Sequence, residues 1–311
     1  MTILLAPGTS RTVSFVIKAL LSSPSPPPIR LLAHTPASKT TLETTYGASV
    51  SVVIADLEDK ATLEKAMDGV SVVFYNGPVG EHEVQLGKNA IDAAVAAGVQ
   101  HFMFCSVLHP YISKMTHHRH KLDIEEYLFE SGLPYTIIQF PSFAEQPTHL
   151  MQNVSIADVL KSGHINIPWE PSVLHGFLDL DDLGAVAVSI LLSPEKHVRA
   201  RYELVGQNLT YDEVAQVFTK FNKTRGGPAV ESVKIEQEAF FARFEVGGRR
   251  LESWTKNAFH RMMTYYDERG LPGSTNILRY LLGREPTTWK ALLERETVKG
   301  AQASNTGFII E

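Results

Sequence analysis

The chain has 311 residues, 44% of them hydrophobic and 20% charged, with a formal net charge of -5 at pH 7. That length supports one large domain or a domain with a smaller lobe, and the mildly acidic balance, with only short basic clusters, excludes nucleic acid as the main partner. Its one cysteine, Cys105, cannot form an intrachain disulfide and reads as a buried small hydrophobe in a reducing compartment, while no apolar run reaches the roughly 20 residues of a membrane span.

Short β-rich runs alternate with helical patterns from the N-terminus, which predicts βαβ units and a parallel sheet. Strands are predicted over 3–6, 29–33, 50–54, 70–75, 101–105, 135–140 and 202–205. The first strand begins at residue 3 and leaves no room for a signal peptide, so the expected location is cytoplasmic, with no membrane partner. A helix over 13–21 is followed by the proline-rich loop SSPSPPPIR, which must lie at the surface because proline disrupts helix interiors and central strands. Further helices are predicted over 81–97, stopped by Gly98, and over 121–131, stopped by Gly132 before Pro134. From residue 143 the alternation weakens: 163–171 reads as irregular and short-stranded, and helices follow over 180–192, 211–221, 251–268 and 288–296. The last dozen residues read as disordered. The expected fold is α/β: a Rossmann-like doubly wound parallel sheet over 1–142, with a smaller, mainly helical substrate lobe over 143–311 that returns a strand near 202–205 to the sheet.

The turn after the first strand, APGTSRTV, occupies the place of a dinucleotide phosphate loop, yet almost all the glycines are missing. A G-x-G-x-x-G frame puts Gly8, Ser10 and Val13 at the three places, and a G-x-x-G-x-x-G frame puts Pro7, Ser10 and Val13 there. Pro7 lacks an N–H, Ser10 adds a side chain where the backbone should approach a pyrophosphate, and Val13 is branched where helix and strand should pack closely. No nicotinamide cofactor is therefore expected; the alternative is a site rescued by Arg11 contacting a phosphate directly.

Several segments, in order, resemble the NmrA-like family of atypical short-chain dehydrogenase/reductase proteins: VIADLEDKATLEKAMDGVSVVF, VQHFMFCSV, HHRHKLDIEEYLFESGLPYTIIQFPSFAE, GFLDLDDLGAVAV and YELVGQNLTYDEVA. The resemblance implies a Rossmann-like fold but no single reaction, since the family holds NAD(P)-dependent reductases, dinucleotide-binding regulators and natural-product enzymes. It places His34 where an arginine usually meets the 2′-phosphate of NADP, and Asp56 where an aspartate holds the adenine; Asp56 is equally a loop cap. If a dinucleotide binds, the resemblance points to Gly8, Arg11, His34 and Asp56, with NADP as the alternative cofactor. It also aligns His117 and Lys121 with the family's Tyr-x-x-x-Lys, and i,i+4 spacing puts the pair on one helix face if the helix already includes Thr116.

The loop SVLHPYISKMTHHRH leaves the carboxyl end of the fifth strand, where open α/β sheets bind their ligands. Lys121, His117, His109 and Tyr111 are the candidate acid-base groups, with a helix-surface Lys121 and a loop His117 as the structural alternative. Ser106, Phe140, Phe143, Trp169 and His175 are the candidate substrate-lining residues, joined by Met151, for an aromatic small-molecule substrate. No metal site is expected, because the clustered histidines lack a carboxylate-histidine pattern of recognised spacing. The leading expectation is a cofactor-independent, acid/base-promoted cyclisation or isomerisation of an aromatic or polyketide-like molecule; the alternatives are an NAD(P)H-dependent reductase and a non-catalytic regulator that binds a partner protein.

Overall fold

The computed structural model describes residues 1–146, 154–242 and 251–302. Met151 and the last nine residues of the tail expected to be disordered lie outside the described residues.

The N-terminal half alternates β1 (Ile3–Ala6), α1 (Arg11–Leu21), β2 (Ile29–Ala33), α2 (Pro36–Tyr46), β3 (Ser51–Ile54), α3 (Lys60–Met67), β4 (Val72–Tyr75), α4 (Glu83–Ala96), β5 (His101–Val107), α5 (Thr116–Glu130) and β6 (Tyr135–Phe140). The chain continues through β7 (Ser142–Phe143), α6 (Ile156–Ser162), β8 (His164–Ile167), β9 (Leu174–Leu178), α7 (Leu180–Leu192), β10 (Ala200–Glu203), β11 (Gln207–Thr210), α8 (Tyr211–Lys223), β12 (Glu231–Lys234), α9 (Gln237–Ala242), α10 (Ser253–Arg269), α11 (Asn276–Leu282) and α12 (Trp289–Gln302). Seven strands form one parallel sheet in the order β10-β6-β5-β4-β1-β2-β3, the doubly wound Rossmann-like arrangement. Beside it lie a three-stranded sheet, β11-β9-β7, and a two-stranded one, β12-β8.

Period-2 alternation in the strands divides the main core between the two faces. On β1, Ile3 and Leu5 join α1 and α7 on one side, and Leu4 and Ala6 join α3 and α4 on the other. Val13, fully buried, is part of the first cluster, so its branched side chain faces the core. A separate cluster of Trp169, Phe177, Tyr211, Phe218, Phe240, Met263 and Trp289 holds the second lobe together.

The returning strand forms at Ala200–Glu203, two residues earlier than expected, because its register with β6 sets Ala200 opposite Thr136 and Glu203 opposite Gln139. Strand β5 runs two residues past its expected end because Ser106 and Val107 still pair with Gln139 and Phe140. Helix α5 starts at Thr116, five residues early, since burial of His117, His118 and Lys121 favours helix through the polar stretch. Among the described residues no helix is long and apolar enough to cross a membrane.

Candidate functional site

The carboxyl ends of β1, β4, β5 and β6 open onto one crevice edge, and the first group there is the turn from β1 into α1. Gly8 donates its N–H to Leu32 O (2.8 Å) and lies so close to β2 that a Cβ would come 2.9 Å from Leu42 Cδ1 and 3.0 Å from Leu31 Cβ. A larger residue here would have to displace Leu42 and press on β2. Ser10 is the N-cap of α1, but its side chain caps no helix N–H; its hydroxyl accepts from Asn76 Nδ2 (3.0 Å), at the end of β4. The first turn holds no acidic residue and begins with Arg11, so the positive end of an 11-residue helix is uncapped by side chains at the crevice edge. The side chains that replace the second and third glycines are thus turned to β4 and to the core. The remaining backbone and Arg11 fit an anionic group such as a pyrophosphate.

Farther along the edge, His34 Nδ1 follows β2 and lies 3.9 Å from Asp56 Oδ1, which follows β3; both side chains are exposed. Asp56 Oδ1 also accepts from Glu58 N–H (2.9 Å), a loop bond that supplies the structural role allowed for it.

His117 and Lys121 stand one turn apart on α5, as their spacing predicts. Lys121 is not a surface charge. Its Nζ lies 2.7 Å from Glu83 Oε1 of α4, and the two side chains are 5% and 1% exposed. Burial pushes the Glu83 carboxyl up, and the Lys121 charge opposes that rise. Lys121 also sits over the Phe104 ring, 5.3 Å from its centroid. His117, nearly buried, meets His118 edge-on at 4.4 Å. His118 is fully enclosed and burial lowers it to about 4, so it is neutral at physiological pH, with Nδ1 3.3 Å from the His109 carbonyl.

Past β5, His109 and Tyr111 are in contact: Tyr111 Oη lies 2.9 Å from His109 Nδ1. Ser106 is fully buried beside Glu125, whose carboxylate accepts from Gln139 Nε2 (2.7 Å) and pairs with Arg201 (2.7 Å); Ser106 is therefore within the protein rather than on a cavity wall. Phe140, half-buried at the end of β6, and Phe143 of β7 pack as an aromatic pair 5.0 Å apart; Phe143 differs from the expected lining because it is buried in the main core. Trp169 and His175 differ from the expected lining. Both are 0% exposed, stacked 5.4 Å apart and enclosed by Tyr211 and Tyr266, because the β9 and α8 aromatics converge there to form the second lobe's core.

Several groups here carried no sequence signal. Glu145 follows β7 and Arg295 comes from α12; Arg295 pairs with Asp179 (2.8 Å), Asp181 (3.1 Å) and Glu145 (3.3 Å). Glu145 is pushed up to about 8, by burial first and then by Asp179, and both Glu145 and Glu296 lie within electrostatic reach of Arg11. Glu83 stands in a stretch without a motif, Glu145 and Glu203 lie in segments that carry the resemblance but were given no role by it, and only the place of Asn76 directly after a predicted strand could have marked it. Among the described residues no group of three or more His, Cys, Asp or Glu side chains is placed to hold a metal ion.

The sequence profile described as NmrA-like family matches residues 1–289. An NAD(P)H azoreductase of Xenophilus azovorans is 28% identical over 217 residues, covering 68% of this chain and 71% of the azoreductase. The NADPH-dependent quinone oxidoreductase of Escherichia coli, solved in complex with NADPH, superposes with a TM-score of 0.77 at 22% identity, over 96% of this chain and all of that one. The triphenylmethane reductase of a Citrobacter species, solved with NADP(H), superposes at 0.76 and 21% identity, over 95% of this chain and 99% of that one. These findings overturn the expectation of no cofactor. Both of these solved proteins hold a nicotinamide dinucleotide, and the glycine losses that argued otherwise leave the mouth of α1 open.

Proposed function

Because the chain belongs to the NmrA-like family, we propose that it is an NAD(P)H-dependent reductase of an aromatic small molecule. The observation that carries this reading is the side-chain-free N-terminus of α1, with Gly8 packed on β2 and Arg11 at the first helical position. The reported relatives are named for reduction, and they support this reading over the ring-closing one.

Arg11 and the first-turn N–H groups of α1 would hold the pyrophosphate, and His34 and Asp56 stand where the adenosine half would lie. Ser10 and Asn76 tie the end of β4 to the mouth of α1 and keep the turn in place. The dinucleotide, when bound, supplies a hydride. Phe140, half-buried at the end of β6, offers an aromatic contact backed by Phe143. Glu83 is the buried ion-pair partner of Lys121 and ties α4 to the helix that carries His117.

Calorimetric titration with NADPH and NADH tests the reading, followed by loss of NADPH absorbance with quinone and azo-dye acceptors. Saturable binding of one dinucleotide is expected. Failure of both to bind at millimolar concentration would remove the proposal.

A further inference from the structure

We propose that Tyr111, His109 and Glu203 form a proton relay at the sheet's carboxyl edge, in which Tyr111 is the catalytic proton donor to a reduced substrate and the other two residues position and charge it. The proposal rests on the reductase reading and adds to it the residue that completes the reaction.

Three elements converge to build the relay. Leu108 N–H binds Phe140 O (3.0 Å), and the chain then turns at His109 with φ of 54°, a left-handed conformation that is uncommon outside glycine and is held only where surroundings enforce it. Here the enforcing contacts are visible. The His109 carbonyl accepts from Ile112 N–H (3.2 Å) and faces His118 Nδ1, and His109 Nε2 lies 2.7 Å from Pro272 O. The loop that presents Pro272 is itself fixed by Asn208, whose side chain exchanges bonds of 2.7 and 3.0 Å with the Gly273 backbone. Glu203, the last residue of β10, brings Oε1 to 3.5 Å from His109 Nδ1.

A carbonyl oxygen only accepts, so the contact with Pro272 assigns the proton of neutral His109 to Nε2 and leaves Nδ1 free to accept from the Tyr111 hydroxyl. When both ring nitrogens carry protons, Nδ1 becomes a donor to Tyr111 Oη or to the Glu203 carboxylate beside it. The other charged or titratable groups near the relay are Arg201 and Tyr265 beside Tyr111 and His118 beside His109. Burial, Glu203 and Tyr265 push the Tyr111 phenol up, so it enters the reaction protonated. Tyr111 is 62% exposed and open to a ligand.

The step balances for a quinoid or carbonyl substrate. The substrate gains two electrons and one hydrogen as hydride from the reduced nicotinamide, which is oxidised. As the Tyr111 O–H bond breaks, a new O–H bond forms on the substrate; the Nδ1 proton of His109 restores the phenol, and solvent recharges the imidazole.

Two acceptors separate proton delivery from hydride transfer. Menadione needs both, whereas crystal violet, a triphenylmethane cation, is reduced by hydride alone. Tyr111→Phe should lower the ratio of menadione to crystal violet rates by about 10², the ordinary contribution of a positioned acid. Glu203→Gln should lower the same ratio, because His109 Nδ1 loses the carboxylate 3.5 Å away that positions the ring. An unchanged ratio in Tyr111→Phe overturns the relay. Dinucleotide titration of the same samples reports separately on the reductase reading. A measurement that needs neither dinucleotide nor acceptor is the ¹⁵N spectrum of His109. A proton on Nε2 of the neutral ring supports the relay, and an Nδ1-protonated neutral ring overturns it.

Discussion

Lys121 Nζ lies 2.7 Å from the Glu83 carboxylate, an ion pair between α5 and α4 that solvent barely reaches. Removing one member of such a pair leaves the other charge buried without compensation. Lys121→Met should therefore destabilise the fold by about 3–5 kcal/mol, while Glu83→Gln combined with Lys121→Met should recover much of that loss. Urea unfolding of the single and double variants reads the difference; equal stability of wild type and Lys121→Met would deny the pair its structural role.

Arg11 is the cation at the uncapped mouth of α1. Its change to Ala should weaken NADPH binding about 10- to 100-fold, the worth of one charged hydrogen bond of about 1.5–3 kcal/mol, with little effect on the unliganded melting temperature. Thermal melts with and without NADPH check both halves, since the stabilisation by ligand shrinks with the affinity.

Glu145 should make stability pH-dependent. Its nearest cation, Arg295, is held more closely by Asp179, at 2.8 Å against 3.3 Å, so burial and the Asp179 charge govern Glu145 and raise it from 4.5 to about 8. A raised carboxyl pKa means that the folded state binds the proton more tightly than the unfolded chain. The contribution is complete below about 4.5 and is lost as pH rises through about 8. Relative to Glu145→Gln, the wild type should lose on the order of 1.4 kcal/mol per pH unit inside that window. Parallel denaturation curves of the two proteins across it would refute the assignment.

Gly270 ends α10 with φ of +62°, and a Cβ there would meet Leu174 O at 2.0 Å. Gly270→Ala should cost on the order of 3 kcal/mol, because backbone on both sides must move. It should also disturb His109, since Leu271 and Pro272 follow directly. The ¹⁵N signals of the His109 ring provide that second readout.

The strands and the α/β class were legible because buried parallel strands are short, apolar and bounded by turn residues, as in residues 101–105 and 135–140. The start of α5 was less so: three histidines and a lysine look like a loop until tertiary burial is known. The phosphate turn was misjudged for a related reason. Residue identities alone did not show that Val13 faces the core and that Ser10 is drawn to Asn76. Glu83, Glu145 and Glu203 are ordinary acidic residues in sequence, and they gain significance only from partners 38, 150 and 94 positions away, Lys121, Arg295 and His109.

The last strand of the main sheet, β10, is laid against β6 only after about sixty intervening residues, and α7 covers α1 from the same late segment. During synthesis, a nascent chain that has emerged only to residue 142 therefore presents the unpaired flank of β6 and the bare apolar stripe of Val13, Val16, Ile17 and Leu20. A fragment ending there should therefore be less stable than the full chain, which thermal melts of the two would read.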